Sequence, residues 1–172
     1  MNDRTSEENW AGRILTRAGL CAERERLRAA GRRLAFTNGC FDLLHTGHVS
    51  YLQWARATAD ALAVGLNADE SVRRLKGPLR PLLPETERAQ VLAALRCVDY
   101  VTIFTEDEPA DLIAALTPDV LVKGEDWAHY VSGREAVEAA GGRVALAPLV
   151  PGRSTSGLIA RIIEAYGRGE QP

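Results

Sequence analysis

Short unbroken apolar runs alternate along this chain with longer stretches whose apolar residues recur every three or four positions. The runs are "LAFTN" (34–38), "ALAVGLN" (61–67), "DYVTIF" (99–104), "PDVLVK" (118–123) and "GRVALAPL" (142–149). Their length and their bounding Gly, Pro and Asp residues predict five buried strands. The periodic stretches predict helices: "HVSYLQWARA" (48–57), "PETERAQVLAAL" (84–95), "EPADLIAAL" (108–116), "GREAVEAAG" (133–141) and "SGLIARIIEAYG" (156–167). In the second of these Pro84 suits a first helical position, with Val91, Leu92 and Leu95 on one face. In the last, Leu158, Ile159, Ile162, Ile163 and Tyr166 make one apolar stripe that Gly167 can end. Residues 9–30 read as a further helix, weakened by Gly12 and Gly19. Residues 1–8 are polar and expected to fray.

Strands that alternate with helices predict an α/β fold: a Rossmann-like doubly wound sheet of five parallel strands with helices on both faces. The expected organisation is an N-terminal helical extension (1–30) and a single domain (31–168). Ligands of such sheets sit beyond the carboxyl ends of the strands. The polar residues that follow each strand are therefore expected to share one pocket.

Composition narrows the class. The 172 residues are 46% apolar and 26% charged, with a net charge of −2. These values fit a globular domain and argue against a broad nucleic-acid surface. Cys21, Cys40 and Cys97 form no Cys-x-x-Cys pair, and no leader or membrane span is evident. The expected setting is a reducing cytoplasm, with no membrane partner. Trp10, Ile14 and Leu15 offer an apolar cover for a second copy, so a homodimer is expected.

Chemistry concentrates where the pocket should be. The first strand runs into Asn38-Gly39-Cys40-Phe41-Asp42 and then His45-Thr46-Gly47-His48. Two imidazoles at a helix start, where unpaired N–H groups favour anions, suit phosphate, and Gly47 allows close approach. Zinc on Cys40, His45 and His48 is the rival, but a fourth ligand at metal spacing is missing. Simple packing of the two rings is the plainer alternative. Asn67 and Asp69 follow the second strand, and Lys76 and Arg80 stand in the Gly/Pro-framed "RLKGPLRP", a stiff way to present two cations. Arg88 reaches either that pocket or Glu85 and Glu87 on the surface. Lys123-Gly124-Glu125-Asp126-Trp127 repeats the design after a later strand. Asp42 and Asp126 also suit simple capping. Ser154, Thr155 and Ser156, after Arg153, exceed what an N-cap needs.

Taken together, the Asn-Gly-Cys-Phe-Asp turn, His-x-Gly-His, Arg88, Lys123-Gly124-x-Asp126 and the terminal Ser-Thr-Ser resemble the cytidylyltransferase-like nucleotidyltransferase superfamily. The resemblance spans roughly residues 34–163, and it is strongest to the heptose 1-phosphate adenylyltransferase branch. It implies transfer of AMP from ATP to D-glycero-β-D-manno-heptose 1-phosphate, giving ADP-heptose and pyrophosphate for lipopolysaccharide. It implies catalytic roles for His45, His48, Lys76 and Lys123. Nucleotide binding is implied for Asn38, Gly39, Cys40, Phe41, Asp42, His45, Gly47, His48, Arg88, Lys123, Gly124, Asp126, Ser154 and Thr155. Acceptor binding is implied for Asn67, Asp69, Lys76, Arg80 and Trp127. Mg²⁺ is implied on the phosphates and water, with no direct protein ligand. Glu-Asp-Trp at 125–127 departs from the Gly-Asp-Tyr of many heptose enzymes and is similar to cytidylyltransferases of small phosphoalcohols. The alternatives are accordingly a cytidylyltransferase acting on glycerol 3-phosphate or a similar alcohol phosphate, a non-catalytic nucleotide-binding module, and a zinc hydrolase.

Overall fold

In the computed structural model, which describes residues 13–167, seven helices surround a parallel sheet. The strands are β1 (Arg13–Ile14), β2 (Leu34–Gly39), β3 (Ala61–Asn67), β4 (Tyr100–Phe104), β5 (Val120–Gly124) and β6 (Arg143–Ala147). They are ordered β1-β4-β3-β2-β5-β6, so the chain winds outwards in both directions from the β2–β5 junction. The helices are α1 (Arg17–Ala29), α2 (Thr46–Arg56), α3 (Asp69–Lys76), α4 (Glu85–Ala93), α5 (Ala110–Leu116), α6 (Arg134–Ala139) and α7 (Thr155–Tyr166).

Both faces of the sheet are covered, which explains why the strands read as unbroken apolar runs. On one face Leu52 and Ala55 of α2 and Ala89, Leu92 and Ala93 of α4 pack on Leu62, Val64, Val101 and Val122. On the other, Leu20 and Leu27 of α1, Leu112, Ile113 and Leu116 of α5 and Val137 of α6 pack on Leu34, Phe36, Ala63 and Leu121. Arg24 fastens α1 from inside this second layer. Buried, it donates to the Thr117 carbonyl and pairs with Asp119, whose carboxylate accepts the Leu34 N–H at 2.7 Å.

The structure revises four expectations. The sheet has six strands, not five, because Arg13 and Ile14 pair with Tyr100 and Val101. The helix expected over 9–30 is therefore α1 alone, preceded by that strand, and it is capped by Thr16, whose hydroxyl accepts the Gly19 N–H. Arg74 to Lys76, expected in a loop, belong to α3, and the loop begins at Gly77, whose φ of 96° ends the helix. Pro84 is the N-cap of α4, one place before the helix proper, and Val91 points outwards while Leu92 is buried. The stripe on α7 exists, but no residue of that helix is buried and Ile162, Ile163 and Tyr166 are largely exposed. Of the three residues expected to cover a second copy, Ile14 is exposed, Leu15 packs against the core, and Trp10 lies outside the described residues. No described helix is long and apolar enough to cross a membrane.

Candidate active site

The site is assembled at the β2–β5 junction, where the direction of winding changes. At the carboxyl end of β2 the chain turns sharply through Phe41, which has a φ of 43°, a rare conformation for a bulky residue. Burial of its ring, set edge-on to His48 with centroids 5.3 Å apart, holds that turn. The loop then delivers His45 as the N-cap of α2 and His48 in its first turn. The two rings stack with centroids 3.9 Å apart and an interplanar angle of 17°. Each Nδ1 is buried and has no hydrogen-bond partner, and the His45 side chain does not cap its helix. The role of Gly47 is visible in the packing: a Cβ there would lie 3.0 Å from the His45 ring and 3.1 Å from Cβ of Arg153.

Two stacked imidazoles cannot both be charged cheaply. Burial, with His45 alongside, pulls the His48 pKa down to about 4. Burial and the Arg153 guanidinium also lower that of His45. At neutral pH the pair is therefore uncharged, so these residues meet an anion as N–H donors and gain charge only if the anion brings it.

Lys123 stands near the carboxyl end of β5, alongside the end of β2. Its ammonium donates to Asn38 Oδ1 at 2.6 Å and lies 5.7 Å from the centre of the Trp127 ring. Burial lowers its pKa to about 8, while the Glu108 and Asp126 carboxylates favour the charged form. Gly124 has no Cβ because the Asp126 carboxylate folds back over it. Tyr51 of α2 ties the two central strands together beneath the site. Its hydroxyl donates to the Val122 carbonyl at 3.1 Å and shares a 2.6 Å hydrogen bond with Thr37 Oγ1.

The start of α7 closes another side. Ser154 caps the helix, accepting the Gly157 N–H at 3.0 Å, while the Thr155 hydroxyl approaches the Leu43 carbonyl at 3.5 Å. The N-termini of α2 and α7 thus come together, with Arg153 between them. Ser156 is exposed.

Other expected site residues work inside the protein. Buried Asp42 pairs with Arg80 and accepts the Leu82 and Leu83 N–H groups at 2.7 and 3.1 Å, so it anchors the loop after α3. Arg88 is fully buried and reaches neither Glu87 nor Glu85. It donates to the carbonyls of Leu83, Cys40 and Asn67 and pairs with Asp69 at 2.7 Å. Asn67 is buried against Ser71, and Asp69 donates its N–H to Glu85. Asn67, Asp69 and Arg88 therefore form the frame behind the β2 turn. Lys76 is exposed at the end of α3, with its charge close enough to act on the Cys40 thiol. Burial raises the Cys40 pKa, the opposite of nucleophile activation. Trp127 is half exposed. Among the described residues no three of His, Cys, Asp and Glu converge as a metal-binding group.

Three contributors were not anticipated: Glu85 of α4, which accepts the Asp69 N–H at the start of α3, the Tyr51–Thr37 bond and the Asn38–Lys123 bond. Only the last left a trace in the sequence, since Asn38 and Lys123 are polar residues near the ends of apolar strands.

The model of the cytidylyltransferase-like family matches residues 36–156. Curated relatives include bifunctional protein HldE of Syntrophotalea carbinolica, 57% identical over 143 residues (83% of this chain and 29% of that one). HldE of Citrifermentans bemidjiense is 61% identical over 137 residues (79% and 28%), and that of Geobacter sulfurreducens 58% over 141 residues (81% and 29%). The chain spans less than a third of the length of these relatives. Similar solved structures include a lipopolysaccharide core biosynthesis protein from Thermoplasma volcanium, with a TM-score of 0.57 and 24% identity over 70% of this chain and 98% of that one. Another is pantoate-β-alanine ligase from Francisella tularensis, with a TM-score of 0.59 and 16% identity over 83% and 68%. At these identities the structural likeness bears on the fold alone.

Proposed function

The chain belongs to the cytidylyltransferase-like family, and on that premise we propose that it transfers AMP from ATP to D-glycero-β-D-manno-heptose 1-phosphate, releasing pyrophosphate and ADP-heptose for lipopolysaccharide. One observation carries this reading: a stacked histidine pair at a helix N-terminus, whose ring nitrogens Nδ1 have no partner in the protein. The identity with HldE proteins along most of the chain supports the choice of nucleotide and sugar.

In this mechanism an oxygen of the sugar phosphate attacks the α-phosphorus of ATP. A P–O bond forms as the bond from the α-phosphorus to the bridging oxygen breaks, and pyrophosphate carries that electron pair away. The protein's task is to position the phosphates and to stabilise charge on their oxygens. His45, His48 and the first N–H groups of α2 hold the triphosphate. Lys123, fixed by Asn38, meets the reacting phosphates, with Thr155 and the start of α7 alongside. Lys76 approaches from the end of α3 and Arg80, paired with Asp42, from the loop that follows, and Arg88, Asn67 and Asp69 act behind them by holding the turn. Asp42 is engaged by that loop and Arg80, so this carboxylate would not hold a hard cation, which would be retained through phosphate and water. When bound there, Mg²⁺ supplies charge neutralisation to the triphosphate. The reading includes a nucleotidyltransferase domain over 31–168, a cytoplasmic setting and a homodimer, the last supported by exposed Ile14 and the exposed apolar side of α7.

The test is pyrophosphate release with ATP or CTP against heptose 1-phosphate or glycerol 3-phosphate. ATP with the heptose phosphate is expected to be the most active pair. Preference for CTP with glycerol 3-phosphate would replace this reading with the phosphoalcohol one. Tight nucleotide binding without pyrophosphate from any pair would make the protein a binding module.

A further inference from the structure

The loops after β4 and β5 meet although β3 and β2 separate their strands in the sheet. Tyr130, from the segment after β5, donates its hydroxyl to Glu108, from the segment after β4, at 2.8 Å. The bond bridges the carboxyl ends of the two intervening strands. It lies on the side of α5 and α6, because Val131 next to Tyr130 packs into the same core layer as Ile113 and Val137. The histidine pair approaches from α2, in the opposite layer. The Glu108 carboxylate lies close enough to act on the Lys123 ammonium, so a ligand that reaches Lys123 from the α2 side can extend its far end to the Glu108–Tyr130 bridge. Trp127 flanks that end with its half-exposed indole over Lys123 and nearly parallel to the His129 ring. Ser132, two residues beyond Tyr130, brings a buried hydroxyl close to that of Tyr130.

This combination has a chemical signature. A carboxylate beside a hydroxyl accepts hydrogen bonds from a polyol, and an exposed indole covers the apolar face of a sugar ring. It offers nothing to a second phosphate, which Glu108 would repel. Resting on the adenylyltransferase reading above, we propose that Glu108, braced by Tyr130, determines acceptor specificity by binding sugar hydroxyls while Trp127 covers the ring.

The experiment measures KM for heptose 1-phosphate and for ATP, by pyrophosphate release, in the wild type and in Glu108→Gln, Glu108→Ala and Tyr130→Phe. Losing charge-assisted hydrogen bonds to the sugar is expected to raise the sugar-phosphate KM about tenfold or more in Glu108→Ala. Glu108→Gln is expected to fall between Glu108→Ala and wild type, and Tyr130→Phe to show a smaller rise. KM for ATP is expected to stay within about twofold in all three. An unchanged sugar-phosphate KM in Glu108→Ala overturns the inference. So does an equal rise in both KM values, which would mean that Glu108 acts only through the charge of Lys123. Thermal melting of each variant separates these results from misfolding, and both residues are exposed, so the variants are expected to fold. Wild-type protein that releases no pyrophosphate from any sugar phosphate overturns the adenylyltransferase reading itself, and with it the role of Glu108.

Discussion

At the scale of single residues, the electrostatics of His48 differ from what a histidine beside a phosphate site suggests. Its pKa, pulled down to about 4 by burial, lies below the roughly 6.5 of an unfolded chain. Between those values the unfolded state takes up a proton that the folded state resists. Stability from the uncharged ring is therefore complete above about pH 6.5 and is lost as pH falls towards about 4. Urea titrations at pH 7 and pH 4.5 are expected to show a larger loss for the wild type than for His48→Phe, and equal losses would mean that His48 is not held neutral. Function should respond separately. Removing one positioned donor typically slows turnover about 100- to 1000-fold, so His48→Ala is expected to keep its fold and lose activity of that order. Normal turnover in that variant would remove the pair from the mechanism. The motif itself was legible, since His-x-Gly-His after a strand is conspicuous. The uncharged, stacked state was not, because it depends on burial that no local pattern encodes.

Elements place these residues, and here sequence patterns were informative to different degrees. Five strands and the helices between them were legible, because burial on both faces leaves continuous apolar runs. β1 was not, because two residues carry no period and its pairing with β4 is long-range. α3 was missed because its residues 69–76 are almost wholly polar outside Val72 and Leu75. Arg88 is the instructive case. A cation one turn inside a helix looks the same in sequence whether it faces solvent, ligand or frame. In the structure it joins α4 to the carbonyls of Cys40 and Asn67 and to Asp69 on α3. Arg88→Met leaves those acceptors buried, and breaking such a pair costs about 3–5 kcal/mol. Chemical denaturation is expected to show that loss, along with weaker nucleotide binding through the released β2 turn. A variant as stable as the wild type would return Arg88 to direct ligand contact.

For the molecule as a whole, the sheet order explains why residues distant in sequence share one place. β2 and β5 are central neighbours with different exits, so the turn after Asn38, the lysine after Val122 and the start of α7 converge. A chain read linearly shows these as three separate polar clusters, and only the rule about carboxyl ends of parallel strands joined them in advance. Hydrogen exchange across the entire chain, with and without ATP and Mg²⁺, tests that convergence most directly. ATP is expected to slow exchange in residues 40–49, 123–127 and 154–158 together, leaving the far ends of the strands unchanged. Protection confined to one of these segments, or appearing at the opposite edge of the sheet, would contradict a single polyphosphate cradle built from the N-termini of α2 and α7.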